Sequence, residues 1–298
     1  IALVHIRGVK FGGVFQNYIT AFKLLIIGLI IVVPFIYFGY EPSNVSFSPT
    51  GETSNTILSS AFAGSLVWVM FSYSGWNAST YILGNLENPK KTLPFSLIFG
   101  TLAVTVIYVL LNFTFMYVAT FQELEGQIDI GNVVMQKVLG DNASLIVSGI
   151  FSFALLSGIS AMMIAGPRVA EEIGKDFTFF KVLGKQNSKG NPVPAIILLT
   201  TTSSLLVIFS SFKEIVEYIG ITLTIFAMLT VFGVFIIRKK RIPNVLGIKC
   251  LGYPFTPLMF IALSSWMLYY FISQDPIKIV WCLITIVPGV FIYYLSKR

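Results

Sequence analysis

Eight apolar runs of about 20 residues, separated by charged or Pro/Gly-containing segments, limit the folds open to this chain. Within a bilayer only helices and closed β-barrels satisfy their own backbone, and runs of about 20 residues have the length of a spanning helix. The runs cover about 14–39, 57–84, 94–119, 142–168, 193–211, 215–237, 253–272 and 277–295. Since 55% of the residues are hydrophobic and 11% charged, the sequence predicts an all-α polytopic membrane protein with eight transmembrane helices.

The basic residues indicate how these helices are oriented. If the N-terminus is cytoplasmic, 16 of the 20 Lys and Arg residues lie in cytoplasmic segments. Lys137, Lys213 and Lys278 lie on the opposite side, and Lys23 lies within a span. This asymmetry predicts a multi-pass protein of the plasma or inner membrane with both ends of the sequence cytoplasmic, and Glu171–Asn191 as a charged connector. The net charge of +7 therefore reflects topology and indicates a lipid bilayer, not nucleic acid, as partner.

The second run contains polar and small residues at bilayer depth. Ser72, Ser74, Gly75 and Asn77 fall within six positions, where a continuous membrane helix gains nothing from them. We therefore expect the helix that begins near Ile57 to break at about Ser72–Gly75 and to resume toward Asn85. Unwound backbone at this depth lines a cavity or is buried in protein, and there its free N–H and C=O groups can hold a ligand.

Two motifs in this region resemble a known family. Phe71-Ser-Tyr-Ser-Gly-Trp-Asn77 and Glu87-Asn-Pro-Lys-Lys-Thr-Leu-Pro94 are similar to the sixth helix and following loop of amino acid permeases in the amino acid–polyamine–organocation superfamily. Gly84-Asn-Leu86 departs from that family, which usually has acids just before Asn-Pro. The resemblance implies that residues 1–298 are a single membrane domain, helices five to twelve of a LeuT-type inverted-repeat transporter fold. Helices one to four, absent from this sequence, are expected in the full-length protein.

The resemblance also implies a function and a site. It implies a secondary active transporter of amino acids without catalytic residues, with Phe71 as a lid over the ligand. The alternative for Phe71 and Trp76 is that they only pack in the bundle or face lipid. No acid lies at the middle of a span, which favours neutral amino acids. The implied substrate-binding residues are Phe71, Ser72, Tyr73, Ser74, Gly75, Trp76 and Asn77.

Lys23 is the one basic residue inside a span, and two interpretations fit it. Its ammonium extends to the cytoplasmic surface, or it is a buried, titratable amine that faces the helix bundle. The family resemblance favours the second, with Ser157 or Ser160 as partners, although these serines also suit close helix packing. It implies sodium-independent transport, by proton coupling or exchange, with a proton as candidate coupling ion.

Three alternatives to amino acid transport remain at this stage. The chain could transport polyamines or other organic cations, or could be a truncated form that does not transport. A polytopic membrane transferase would need convergent acid–base or metal groups. The sequence offers one histidine, His5, and the pair Cys250 and Cys282 without a metal-ligand pattern, so we expect no enzyme activity, metal or cofactor.

Three further expectations concern single segments. Apolar residues at helical spacing in 131–139 predict a helix lying at the membrane interface. Glu214 and Glu217 stand at a predicted helix start, where acids cap the helix. Asn112 and Thr114 lie inside a span and predict hydrogen bonds between helices.

Overall fold

The computed structural model describes residues 1–6, 9–37, 51, 53–86, 88–141, 144–242 and 250–296, and all regular elements there are helical. Glu87 of the second motif, residues 38–50 of the loop after the first span, and the cations Arg7, Lys249, Lys297 and Arg298 lie outside the described residues. The α-helices, in chain order, are α1 (Ala2–Ile6), α2 (Val9–Tyr37), α3 (Thr53–Ile57), α4 (Ser60–Ser72), α5 (Ala78–Tyr81), α6 (Pro89–Val118), α7 (Phe121–Leu124), α8 (Ile130–Leu139), α9 (Ser144–Asp176), α10 (Val193–Phe209), α11 (Phe212–Lys239), α12 (Phe255–Gln274) and α13 (Ile277–Ser296).

Eight of these helices coincide with the eight apolar runs. Within the described residues, α2, α6, α9, α11, α12 and α13 are long and apolar enough to cross a membrane, and α4 and α10 are shorter apolar helices. The 13 residues of α4 extend only about 20 Å, whereas the hydrocarbon core is about 30 Å thick. The all-α, multi-pass membrane class is thus confirmed, and α4 is short because the second run breaks.

The long helices pack in two groups. In the first, α2 and α8 contact α9, and α6 contacts α2 and α8, around a core that includes Ile26, Ile30, Met135 and Val147. In the second, α4 contacts α11 and α12. The short helix α5 contacts α6 and α9, so the segment between α4 and α5 is where the chain passes from the second group to the first.

A glycine brings α4 close to α11. A Cβ atom built on Gly220 would lie 2.9 Å from a side-chain methyl of Val67 and 3.4 Å from its carbonyl oxygen. Real Cβ atoms do not approach other atoms that closely. A larger residue would therefore push α4 away from α11.

The helix predicted for residues 131–139 is present as α8. Its Val134 and Met135 are buried, and α8 packs on α2, α6 and α9. The apolar face of α8 therefore packs on one side of the protein core. The prediction that it lies at the membrane interface stays a prediction.

The helix start at Glu214 and Glu217 agrees only in part with the sequence. Glu214 caps α11 in a reciprocal capping box with Ser211, whose N–H donates to a Glu214 carboxylate oxygen over 2.8 Å. Glu217 does not cap the helix, since it is buried and ion-paired with Lys278. It lies one turn inside α11, on the face that packs on α4 and α12.

The predicted interhelical bonds of Asn112 and Thr114 were wrong. The Asn112 amide donates to the carbonyl of Tyr108 over 2.8 Å, and the Thr114 hydroxyl donates to the carbonyl of Leu110 over 2.9 Å. Both acceptors lie four residues earlier in α6. A short polar side chain in a membrane helix can satisfy itself on the preceding turn and needs no neighbouring helix.

Candidate functional site

The predicted break in the second span is present. Helix α4 ends at Ser72, a turn covers residues 73–77, and the chain returns to helix only as the four residues of α5 and a 3₁₀ turn at Leu83–Asn85. Gly75 has φ of +88°, which no residue of a right-handed helix adopts. The glycine therefore lets the backbone change direction here, although the helix resumes less fully than expected.

Three consecutive N–H groups in the turn are free of backbone acceptors. The N–H groups of Tyr73 and Ser74 donate to α4 carbonyls over 3.0 and 2.9 Å. Between described residues, the N–H groups of Gly75, Trp76 and Asn77 make no backbone or side-chain hydrogen bond. Successive unpaired N–H groups form a concave, electropositive surface that can bind an anion such as a carboxylate.

Tyr108 of α6 contacts the break, and no sequence pattern had singled it out. Its hydroxyl donates to the carbonyl oxygen of Ser72 over 2.8 Å, and its ring lies 5.1 Å from the ring of Tyr73 between centroids. A tyrosine hydroxyl inside an apolar span needs a hydrogen-bond acceptor, and that requirement was the only available signal. Tyr108 thus fixes one of the carbonyls released at the end of α4.

Two of the predicted substrate-binding side chains use their polar groups locally. The Ser72 hydroxyl donates to the carbonyl of Trp68 over 2.9 Å. The Asn77 amide donates to the hydroxyl of Tyr81 over 2.7 Å. The backbone of the break, more than these side chains, is therefore free to bind a ligand.

The aromatic residues Phe71 and Trp76 lie at the two ends of the break. Phe71 is half-buried against α11, since a Cβ on Gly220 would lie 3.9 Å from its Cβ. Trp76 is 52% exposed. The lid role of Phe71 stays a prediction, as does the contribution of Tyr73, Ser74 and Trp76 to a substrate cavity.

The break rests against α9. A Cβ built on Gly75 would lie 3.0 Å from the terminal methyl of Met162, and α5 packs on α9 just beyond the turn. The glycine thus combines a left-handed backbone conformation with a close approach to the neighbouring helix.

The opposite side of α9 carries a polar cluster. The Gln16 amide donates to the Thr20 hydroxyl over 2.9 Å and to the Ser157 carbonyl over 3.3 Å, and the Thr20 and Ser157 hydroxyls lie 3.4 Å apart. The imidazole Nε2 of His5 lies 2.9 Å from the Ser160 hydroxyl. The amide oxygen of Gln16 is buried and has no hydrogen-bond partner within the described residues.

Lys23 lies beside this cluster on the face of α2 that packs on the protein. Ile19, Ile26 and Ile30, at helical spacing from it, are buried, and Lys23 itself is half-buried. Its ammonium makes no hydrogen bond or ion pair with any part of the chain that is described. Ser157 and Ser160, the predicted partners of Lys23, bind Thr20 and His5 in this structure, so the coupling role of the three residues stays a prediction.

The predicted substrate and coupling residues are separated by α9. Met162 faces the break, and Ser160, two residues earlier, faces α1. Residues two apart in an α-helix are related by a rotation of about 200° and so point to nearly opposite sides. The two sets therefore share one helix without sharing a cavity.

Helix α9 continues into the predicted charged connector as far as Asp176, and this part of the helix contains a buried carboxylate that the sequence did not single out. Glu171 is 1% exposed. Its oxygens pair with Arg168 and Lys175 at 2.8 Å each and accept a hydrogen bond from Gln186. A run of charged residues usually indicates a solvated loop, but here two basic residues and a glutamine surround one buried carboxylate.

Comparison with known proteins supplies the family context. The family model described as "Amino acid permease" matches residues 1–295. The chain is 27% identical to the b(0,+)-type amino acid transporter 1 of Mus musculus, over 99% of the chain and 60% of that protein. It is 25% identical to the human large neutral amino acids transporter small subunit 2, over 98% of the chain and 55% of that protein. It is 24% identical to the serine/threonine exchanger SteT of Bacillus subtilis, over 100% of the chain and 67% of that protein. The chain thus spans about 60% of the length of the mouse relative.

Proposed function

Since the chain belongs to the amino acid permease family, we propose that its native gene product is a secondary transporter that moves amino acids across a membrane. The family and the relatives named above are permeases and transporters, not enzymes. We also propose that this chain forms helices five to twelve of the transporter fold, and that both of its ends are cytoplasmic in a plasma or inner membrane. The assays below therefore use the full-length native gene product.

The observation that carries the proposal is the broken helix between α4 and α5. An amino acid presents a carboxylate and an ammonium close together, which need hydrogen-bond donors and acceptors side by side. The unpaired N–H groups of Gly75, Trp76 and Asn77 supply the donors for the carboxylate. The carbonyl oxygens at the end of α4 supply acceptors for the ammonium, because an oxygen that already accepts one hydrogen bond keeps a second lone pair, and Phe71 covers the ligand from the α4 side.

A neutral substrate fits the charges of the described residues. Two carboxylates, Glu171 and Glu217, are buried there, and each is already paired with a basic residue of the chain. Neither is left to compensate a cationic substrate side chain. The names of two relatives, a large neutral amino acids transporter and a serine/threonine exchanger, agree with this class.

Lys23 supports transport that does not depend on sodium. Among the described residues its ammonium has no partner, and neither has the buried oxygen of Gln16, two turns earlier on the same helix face. Side chains of a helix lean toward its N-terminus, so the lysine stem can bring the ammonium toward Gln16 and Ser157. An ammonium in this place would hold oxygens that a sodium ion would otherwise need; if its charge changed during the cycle transport would be coupled to protons, and if it stayed charged the protein would exchange substrates.

The direct test is uptake by proteoliposomes that contain the native gene product. We expect uptake of labelled serine to be accelerated by unlabelled serine inside or by an inward proton gradient, and to be unchanged when choline replaces sodium. Lys23→Ala should lower this uptake strongly, and Lys213→Ala, which removes an exposed cation from the start of α11, should not. Absence of amino acid uptake under all gradients would refute the function, and sodium-dependent uptake would refute the coupling.

A further inference from the structure

Glu217 is a buried charge inside a membrane-spanning helix, and the proposed transport cycle does not use it. It lies in the second turn of α11 and is 8% exposed. A charged side chain at such a position is expensive to bury unless it is paired. Its partner is Lys278 in the first turn of α13, with an Nζ–Oε2 distance of 3.1 Å.

Lys278 connects this ion pair to the apolar core beneath α4. Its ammonium lies 4.5 Å from the centre of the Phe271 ring, a cation–π contact. Phe271 belongs to the buried cluster that also contains Val67 of α4 and Ile221 of α11. Asp275 lies farther from the ammonium, at 3.6 Å, and is more exposed.

The half-helix α4 is fitted to the same cluster by two glycines. A Cβ on Gly64 would lie 3.6 Å from the Gln274 side chain and 4.0 Å from Phe271. A Cβ on Gly220, one turn after Glu217, would clash with Val67 and lie 3.9 Å from the Cβ of Phe71. The ion pair therefore stands at the edge of the surface that sets the position of α4 and of the break that follows.

Helix α13 depends on few contacts to remain in place. Cys282 is its only buried residue in the described part of the chain. Its polar contacts with α11 follow one face: Lys278 with Glu217, Cys282 with Thr222 at 3.4 Å, and Thr285 with the Tyr218 hydroxyl at 3.0 Å. The ion pair is the only one of these contacts between two charged groups.

From this arrangement we propose that Glu217 and Lys278 are a positioning pair for the substrate site. They hold α13 and Phe271 against α11, and so fix the packing surface of α4 and the geometry of the Ser72–Asn77 break. The proposal rests on the proposed function, because the site that they position is the amino acid site. Neither residue contacts the substrate.

The charge balance predicts an unusual order of effects. Lys278→Met leaves Glu217 as an unpaired buried carboxylate, whereas Glu217→Gln leaves a half-exposed lysine that still has Asp275. Adding Glu217→Gln to Lys278→Met removes the buried charge. The double variant should therefore disturb the substrate site less than Lys278→Met alone. Independent side chains would instead give a double variant worse than either single one.

The test measures uptake KM and Vmax in proteoliposomes, normalised to the amount of protein, for both single variants and the double variant. We expect KM to rise about fivefold or more in Lys278→Met, corresponding to about 1 kcal/mol, with Vmax per transporter less affected. In the double variant KM should return toward the value of Glu217→Gln. Lys213→Met is the matched control, since it removes an exposed cation from the same end of the bundle, and its KM should equal that of the parent protein.

A second measurement does not require transport. The rate of maleimide labelling of Ser74→Cys, in a Cys250→Ser background, reports the geometry of the break directly. This rate should change most in Lys278→Met and should return in the double variant only to the rate of Glu217→Gln, which still differs from that of the parent protein because the ion pair is lost. If Lys278→Met does not assemble, the double variant alone decides, because its failure to assemble or a fully unchanged KM and labelling rate would overturn the proposal. Unchanged KM and labelling in the single variants would do the same, whereas a parent protein that takes up no amino acid would refute only the proposed function.

Discussion

Replacement of Gly75 by alanine tests whether the left-handed backbone of the break is needed. Its φ of +88° costs an L-residue with a side chain about 1–2 kcal/mol. The new methyl would also lie 3.0 Å from Met162 Cε, but this atom is the flexible end of a side chain and can move. The backbone term therefore decides, and it corresponds to a change of about 5- to 30-fold in an equilibrium constant.

The cost of the left-handed backbone in Gly75→Ala should appear either in the KM for uptake or in the stability of the protein. If the break relaxes to another conformation, the KM for amino acid uptake should rise by about 5- to 30-fold. If the surrounding helices hold the break in place, the same free energy is taken from stability and lowers the Tm of the detergent-solubilised protein. Gly84→Ala is the matched control, because no neighbouring atom within 4 Å would contact its new methyl and its φ is not in the left-handed region. Parent values of both KM and Tm for Gly75→Ala would refute the reasoning.

Three other predictions follow from single residues. Phe71→Ala should raise the uptake KM about tenfold, because a lid that shields the ligand adds binding energy of about 1.4 kcal/mol; unchanged affinity and uptake would remove the lid from the account. Glu171→Gln should destabilise the solubilised protein by about 3 kcal/mol or more, since it breaks a buried ion pair, whereas the exposed Glu172→Gln should change the free energy of unfolding by less than about 0.5 kcal/mol. Hydrogen bonds from Lys137 lower the pKa of Glu123 to about 2. The pair therefore stabilises the folded state fully above the ordinary pKa of 4.5 and loses this effect as the pH falls toward 2. The Tm difference between the parent protein and Lys137→Met should shrink over that pH range, and a constant difference would contradict the assignment.

The helices and the break could be predicted because both follow from local rules. A bilayer requires about 20 apolar residues for each spanning helix, so the span boundaries largely follow from counting. The serines, glycine and asparagine of 72–77 disfavour a helix wherever the chain places them. The short return to helix in α5 was not predicted, because this segment packs on α6 and α9 and such packing is not visible in a local pattern.

The residues that were missed act through distant partners. Tyr108 was treated as part of an ordinary span, yet it binds the Ser72 carbonyl 36 positions earlier in the sequence. Glu217 was predicted to cap a helix, because the sequence does not reveal that the Lys278 Nζ atom lies 3.1 Å from its Oε2 atom. Such pairings depend on how the helices pack, and no local pattern encodes them.

The position of Lys23 illustrates the limit in the other direction. Its spacing from the buried residues Ile19, Ile26 and Ile30 places it on the packed face of α2, as the buried interpretation requires. Its partners could not be inferred from the spacing, and the hydroxyls of Ser157 and Ser160 bind other groups in this structure. A role in coupling therefore requires that these side chains rearrange during transport. The uptake assay of Lys23→Ala tests whether transport needs the lysine.

Binding of an amino acid carboxylate by the free N–H groups of the break is the central claim, and hydrogen–deuterium exchange tests it directly. The measurement follows the amides of Gly75, Trp76 and Asn77 in the full-length native protein, with saturating L-alanine or with ethylamine, which has the same skeleton without the carboxylate. The account predicts that alanine slows exchange in this segment and ethylamine does not. Exchange that is unaffected by alanine, in a preparation that transports it, would contradict the account.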